Sequence, residues 1–198
     1  MKYQTSVLLA DLYEQAEQTI SKAIAEWQQL PADYLNAQPG EGSWSAAQCL
    51  EHLNSYGRYY LPAMEKAIAA TPGAAQPQFS SSWLGNYFYK LMLPDSKGMA
   101  PKKMKAPKDS RPAANLNSAK VLSEFISQQE RLLQLITQAQ TVDLQKVKVP
   151  ISIAKFIRLS LGDTLLFNTA HIQRHVAQAE RAILAAGYLP APDRFTLA

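Results

Sequence analysis

The chain of 198 residues is poor in several features, and each shortage narrows what the protein can be. Its single cysteine, Cys49, excludes an internal disulfide, so the expected compartment is a reducing cytoplasm. No run of about 18 strongly apolar residues occurs, which argues against a transmembrane helix. The apolar stretch near the N-terminus, Val7 to Ala10, is too short for a secretory signal peptide. We therefore expect a cytoplasmic protein with no membrane partner.

Charge is concentrated in one segment. The net charge is +4, but Lys97 to Arg111 alone holds six basic residues and one acidic residue, which leaves the rest of the chain slightly acidic. No aromatic residue lies among these lysines to stack on bases, so nucleic-acid binding is the least favoured interpretation of this segment. The other two interpretations are a solvated loop and a contact to an anionic substrate or a thiol cofactor.

Apolar residues recur at helical spacing in four long stretches, and no strand pairs of note are expected. The clearest helix start is Ser45, which forms an S-x-x-Q capping box with Gln48. The four long helices are predicted at Val7 to Leu30, Ser45 to the Pro72–Gly73 pair, Asn117 to Ala139 and Asp163 to Gly187. The shorter predicted elements are a helix at Ser82 to Leu93, extended chain at Val147 to Ile151 and a helical lead at Ala154 to Leu161.

These elements predict an all-α four-helix bundle that forms one domain over residues 1–198. Short links join the first helix to the second and the third to the fourth, so each linked pair is expected to be antiparallel neighbours. Residues 71–117, between the second and third helices, form a long insertion. Connections of that length are uncommon unless they have a task such as covering a site.

The fourth predicted helix carries an H-x-x-x-H pair. His171 and His175 lie one turn apart on one helix face, where two imidazoles can share a metal ion. Asn168 and Gln178 flank them, and four polar side chains on an otherwise apolar face need partners. The pair alone is a weak signal, because such histidines also occur on solvated faces and as hydrogen-bonded core pairs.

Two stretches carry a family resemblance. W-S-x-x-Q-x-x-x-H-L at Trp44 to Leu53 and H-x-x-R-H-x-x-Q at His171 to Gln178 resemble the DinB-like superfamily, and the resemblance covers essentially the whole chain. It implies a divalent metal bound inside a four-helix bundle by His52, His171 and His175, with a long crossover between the second and third helices. It also implies an activity like that of thiol-dependent S-transferases or isomerases that use bacillithiol, mycothiol or glutathione.

All three histidines of the chain fall on the ligand positions that the resemblance implies. Three neutral imidazoles with open positions are typical of catalytic metal sites. Zinc and nickel are the first choices for the metal, with iron and manganese as alternatives. The competing interpretation is a family member whose site is empty. From the ordinary histidine pKa of about 6.5, metal is expected to dissociate between about pH 7 and pH 5.

The predicted function is a metal-dependent enzyme acting on a small molecule, either an S-transferase that uses a low-molecular-weight thiol or a hydrolase-like enzyme. The second and fourth helices show no inward carboxylate that could act as a general base. The catalytic candidates, each explained as well by core packing, are Tyr56, Tyr59, Asn168 and Gln178. Cys49 shares a face with His52 and is considered as a fourth ligand. The alternative function is a non-catalytic ligand-binding or dimerising scaffold, and a homodimer is compatible with both.

Overall fold

The computed structural model describes residues 1–71, 73–93 and 106–188, and helices dominate them. The long helices are α1 (Thr5–Ala25), α3 (Ala46–Ala70), α5 (Ser118–Ala139) and α6 (Leu161–Ala185). The short helices are α2 (Ala32–Asn36) and α4 (Trp83–Met92). The strands are β1 (Lys2–Gln4), β2 (Gln78–Ser80), β3 (Lys148–Ile151) and β4 (Ala154–Ser160). Most of the basic segment Lys97 to Arg111 and the tail after Tyr188 lie outside these ranges.

The predicted all-α architecture is confirmed, and side-chain caps define where α3, α4, α5 and α6 begin. At the start of α3, Ser45 Oγ accepts from the Gln48 N–H (3.2 Å) and Gln48 Oε1 accepts from the Ser45 N–H (3.0 Å), which is the predicted capping box. The Asn117 side chain caps α5 by accepting from the Lys120 N–H, and the Ser82 hydroxyl caps α4 by accepting from the Gly85 N–H. Beyond the end of α6, Gly187 has φ +91°, a conformation that glycine adopts without strain. None of the described helices is long and apolar enough to cross a membrane.

The predicted helical lead before the last helix is wrong. Ala154–Ser160 is strand β4, which pairs antiparallel with β3, and the pair buries Val149 against Leu159. A seven-residue helix is marginal by itself, whereas pairing with a neighbouring strand satisfies the backbone groups. A second antiparallel pair joins β1 to β2. The expectation of no strand pairs is therefore wrong in two places, the β1–β2 pair and the β3–β4 pair. Both consist of short strands that lie outside the bundle.

The order of helices around the bundle also differs from the expectation. Both α1 and α3 pack against α5 and α6, so the described parts of α1 and α3 lie diagonally across the bundle, as do α5 and α6. The helices joined by the shorter links are therefore not neighbours. The links have structure of their own that allows this crossing: α2 packs on α3, α5 and α6, and the β3–β4 hairpin packs on α3 and α6.

Helix α6 is the most enclosed element, because residues 161–172 are all buried. It packs on α3 and α1 within the bundle, and α4 covers another side, as predicted for the short helix in the insertion. A helix buried on every side must find partners for each of its polar side chains. The first half of α6 carries several polar side chains. The partners of these side chains determine which of them stabilise the fold and which can form a binding site.

The polar side chain that fixes the start of α6 is Asp163. It was predicted to cap the helix, but the cap is Ser160, and Asp163 is fully buried in the first turn. Its carboxylate accepts from the hydroxyls of Ser81 (2.6 Å), Ser82 (2.8 Å) and Ser160 (2.7 Å) and from the Ser82 N–H (3.2 Å). Asp163 is therefore an inward carboxylate on the last helix. It lies about 12 Å along the helix from His171, at about 1.5 Å per residue, so it serves the fold and does not contradict the expectation of no inward carboxylate that could act as a general base.

Replacing this carboxylate tests its structural role. Asp163→Ala leaves four buried or half-buried donors without their acceptor, so the free energy of unfolding should fall by at least about 3 kcal/mol in urea titrations. The control Glu17→Ala removes an exposed carboxylate on α1 and should change it by no more than about 0.5 kcal/mol. Equal effects of the two substitutions would contradict the assigned role of Asp163.

Candidate metal centre

The packing of α3 on α6 brings the three histidines of the chain together. One ring nitrogen of each of His52, His171 and His175 lies within 4.8 Å of the other two. The Nε2 atoms of His52 and His171 are 3.2 Å apart. Two nitrogens bound to one tetrahedral zinc at about 2.05 Å would be about 3.3 Å apart. The residues present therefore fit a divalent metal, and this cluster is compatible with metal binding.

Hydrogen bonds fix two of the three rings in the form that a metal needs. Nδ1 of His52 lies 2.7 Å from the carbonyl oxygen of Ser110, which can only accept, so Nδ1 carries the proton and Nε2 keeps its lone pair. Nδ1 of His175 lies 3.0 Å from Oε1 of Gln178, with the same consequence. Nδ1 of His171 is buried and has no hydrogen-bond partner among the described residues.

Aromatic rings enclose the cluster. Trp44 lies against His52 and His175, with ring centroids 5.0 Å and 5.9 Å away. Tyr56 lies 4.4 Å from His171 and 5.0 Å from His52. Phe167 stacks on His171 at 5.7 Å with an interplanar angle of 8°. His52 and His171 are buried, and His175 is the least buried of the three.

Enclosure keeps the three rings uncharged. Burial lowers the pKa of His52, although its bond to Ser110 opposes the shift. Burial, reinforced by the neighbouring histidines, holds the pKa of His171 well below its usual range. For His175, burial and His52 lower the pKa to about 3. A metal therefore displaces no proton near pH 7, and we expect dissociation at a lower pH than the range from 7 to 5 inferred from an unperturbed histidine.

The other predicted site residues divide into two groups. Tyr56 and Gln178 belong to the site: Gln178 orients His175, and burial, with Tyr60, raises the pKa of Tyr56 to about 12, so its phenol is a donor at neutral pH and not a base. Tyr59 does not, because its hydroxyl donates to the carbonyl of Ile151 in the hairpin (3.3 Å). Asn168 is buried on α6 but makes no hydrogen bond to the histidines within the described part of the chain.

Cys49 does not join the cluster. The group of ligand atoms within 4.8 Å of one another, among the described side chains, consists of the three histidines alone. Burial raises the pKa of the Cys49 thiol to about 12, which disfavours the thiolate that a metal would need. The thiol is therefore a small buried group of the core, and the structure gives no support to a fourth ligand at this position.

Sequence reasoning missed the partner of His52, because a backbone carbonyl leaves no residue signature. The only sequence feature that indicated a contact to His52 was the length of the 71–117 insertion, which suggested that this segment covers a site. The described end of that insertion does contact the start of α3: Ser110 binds His52, and the carbonyl of Ala113 accepts from Gln48 Nε2 (3.1 Å). Trp44 entered the sequence analysis only as part of the W-S-x-x-Q-x-x-x-H-L stretch, and its ring forms a wall of the site.

Comparison with protein families gives a match over most of the chain. The family model of the DinB superfamily matches residues 14–179, a stretch that contains all three histidines and all four long helices except the first turns of α1 and the last turns of α6. No curated protein and no solved structure matches the chain.

The lowered histidine pKa values predict how the metal-free protein responds to acid. Because the folded pKa lies below the unfolded value of about 6.5, the unfolded chain binds protons that the folded chain does not. The stability contributed by the neutral rings is thus fully present above about pH 6.5 and is lost as the pH falls towards about 3. Between pH 5.5 and 4.5, His171→Phe should reduce the pH slope of the unfolding free energy by up to about 1.4 kcal/mol per pH unit.

Urea titrations in the presence of EDTA measure this slope. Titration of the carboxylates contributes to both proteins and cancels in the comparison, so the difference isolates His171. Equal slopes would mean that His171 titrates normally in the folded protein, and that it is not enclosed as described.

Proposed function

The chain belongs to the DinB superfamily, and we propose that it is a divalent-metal enzyme acting on a small molecule, with His52, His171 and His175 as the metal ligands. The observation that carries the proposal is the convergence of three ring nitrogens from two helices in a wall of aromatic side chains. Solvated or merely packed histidines would not require this arrangement. Zinc and nickel suit an all-imidazole donor set, and iron and manganese are the alternatives.

The polar partners of the rings support a ligand role. Ser110 and Gln178 each accept a hydrogen bond from Nδ1, which orients the ring and increases the basicity of the opposite nitrogen. Three protein ligands leave positions open on a four- or five-coordinate metal, as in catalytic sites. When bound, a divalent metal supplies Lewis acidity that favours the deprotonated form of a thiol or a water.

We assign the finer activity to thiol-dependent S-transfer. In this reaction the sulfur of a low-molecular-weight thiol forms a bond to an electrophilic carbon, the leaving group departs with its electron pair, and the thiol proton passes to solvent. Trp44 and Phe167 would shield the site from water, and His175, the least buried of the three ligands, marks the side from which we propose that the substrate enters. We propose that Tyr56, a neutral phenol beside two of the rings, donates a hydrogen bond to the leaving group.

One observation favours the alternative of a non-catalytic scaffold that binds metal and ligand. No carboxylate joins the cluster among the described residues, and the raised pKa of Tyr56 makes it a poor base. Any deprotonation step would then depend on the metal and on solvent. The two candidate functions share the metal site and differ only in turnover.

Metal analysis of the purified protein tests the ligand assignment. Protein prepared without a nickel column should contain about one divalent ion per chain, and His52→Ala and His171→Ala should each lose it, because two remaining imidazoles bind metal far more weakly. Gln178→Ala should keep the site but weaken metal affinity about 10- to 100-fold, since His175 loses its orienting partner. The matched control Gln134→Ala removes an exposed amide on α5 and should have no effect. Stoichiometric metal in the His171→Ala variant would rule out the assignment.

A turnover screen separates the two functions. The metal-loaded protein is incubated with alkyl and aryl electrophiles and, in turn, bacillithiol, mycothiol, glutathione and cysteine. S-transfer predicts thiol consumption that needs metal, disappears in His171→Ala and falls about tenfold or more in Tyr56→Phe, which keeps the ring but lacks the donor. Saturable binding of a thiol without any metal-dependent product would favour the scaffold.

A further inference from the structure

A separate cavity of about 330 Å³ lies between α1, α4 and α6. The part of its wall that α6 forms includes Leu166, Ala170 and Ala177, which recur at helical spacing. At about 100° per residue, this face of α6 is turned about 140° away from the face that carries His171 and His175. One helix therefore serves the metal centre on one side and the cavity on another. The volume falls at the lower end of the range of small-molecule pockets.

The cavity contains a buried hydroxyl that the protein leaves unpaired. Thr169 lines it and is 2% exposed, yet its Oγ1 has no hydrogen-bond partner among the described residues. Thr19 and Thr164, within their helices, bond to the carbonyl one turn earlier, Thr19 to Gln15 (2.8 Å) and Thr164 to Ser160 (2.9 Å), whereas Thr5 at the start of α1 is unpaired like Thr169. An unpaired buried hydroxyl is destabilising. Six buried side-chain atoms among the described residues lack a partner, and Thr169 Oγ1 is the one whose residue lines this cavity, so a bound ligand is a candidate for its partner.

The charges around the cavity favour an anion. Among the described residues that line it, Arg174 and Arg181 of α6 carry positive charge and Asp11 of α1 carries negative charge; Asp11 accepts from Gln15 on its own helix (3.2 Å). Arg174 is held in place by a bond from Nη1 to the carbonyl of Leu91, near the end of α4 (3.0 Å). Arg181 makes no hydrogen bond or ion pair with the residues that the structure describes. Guanidinium groups are well suited to bind a carboxylate.

The rest of the wall is mostly apolar. Leu12 of α1, Met92 and Leu93 at the end of α4, and Leu166 of α6 form the interior of the cavity. A fully polar ligand, such as inorganic phosphate, would leave this surface without a partner. A ligand with a charged head and an apolar body would match both parts of the lining.

We propose that this cavity is a binding site for a small amphipathic carboxylate, whose head pairs with Arg181 and Arg174 and whose body lies against Leu12, Met92 and Leu166. The Thr169 hydroxyl supplies a further hydrogen bond to the ligand. The site is separate from the histidine cluster, so it does not depend on the proposed metal chemistry.

Calorimetric titration with octanoate tests the site, and octanamide, which has the same body without the charge, is the matched probe. Both are titrated into the full chain, as purified and after dialysis against EDTA. We expect one saturable octanoate site per chain, octanamide binding at least about tenfold weaker, and the same octanoate affinity with and without EDTA. Equal binding of the two probes would overturn the proposal, as would octanoate binding that disappears with EDTA, because the carboxylate would then be binding to a metal.

Two variants locate the site. Arg181→Gln should weaken octanoate binding at least about fivefold, whereas Arg131→Gln, on the exposed face of α5, should leave it within about twofold. Thr169→Val should weaken binding about threefold without lowering the melting temperature, because the hydroxyl has no protein partner to lose. An unchanged affinity in Arg181→Gln, or a sharp fall in the melting temperature of Thr169→Val with unchanged affinity, would refute the assignment.

Discussion

The polar side chains of α6 need partners, and this need organises the structure around the helix. Residues 161–172 are buried on all sides, so each polar group there must bind something within the protein or a ligand. Asp163 is paired by three serines, and Thr164 is paired by its own helix. His171 and its neighbour His175 meet His52 from α3, and their ring nitrogens are left facing one another. Neutral imidazoles cannot all satisfy each other, whereas a shared cation would satisfy them together.

The same enclosure explains the chemistry that the site can support. Burial among Trp44, Tyr56 and Phe167 makes protonation unfavourable, so the rings stay in the metal-binding form well below neutral pH. It also raises the pKa of Tyr56, so its phenol stays protonated, and the reaction that we propose would depend on Lewis acidity. A site of this kind suits a substrate that is itself acidic once bound to a metal, as a thiol is.

The sequence predicted the long helices and the three histidines because these depend on local rules. Helical spacing, the capping box at Ser45 and the turn-apart placement of His171 and His175 are all properties of short stretches. The errors concern how separate segments pair and pack against one another. Ala154–Ser160 became a strand because β3 is next to it, and the diagonal order of the helices depends on how α2 and the hairpin cross the ends of the bundle. The carbonyl of Ser110 could not be predicted, since any residue carries one.

The most direct test of the account is the X-ray absorption spectrum of the protein at the edge of its bound metal. If His52, His171 and His175 are the ligands, the spectrum of the zinc form should show three imidazoles, with nitrogen at about 2.0–2.1 Å. A sulfur scatterer at about 2.3 Å would instead place Cys49 on the metal. That result, or fewer than three imidazoles, would contradict the assignment of this cluster as the metal centre.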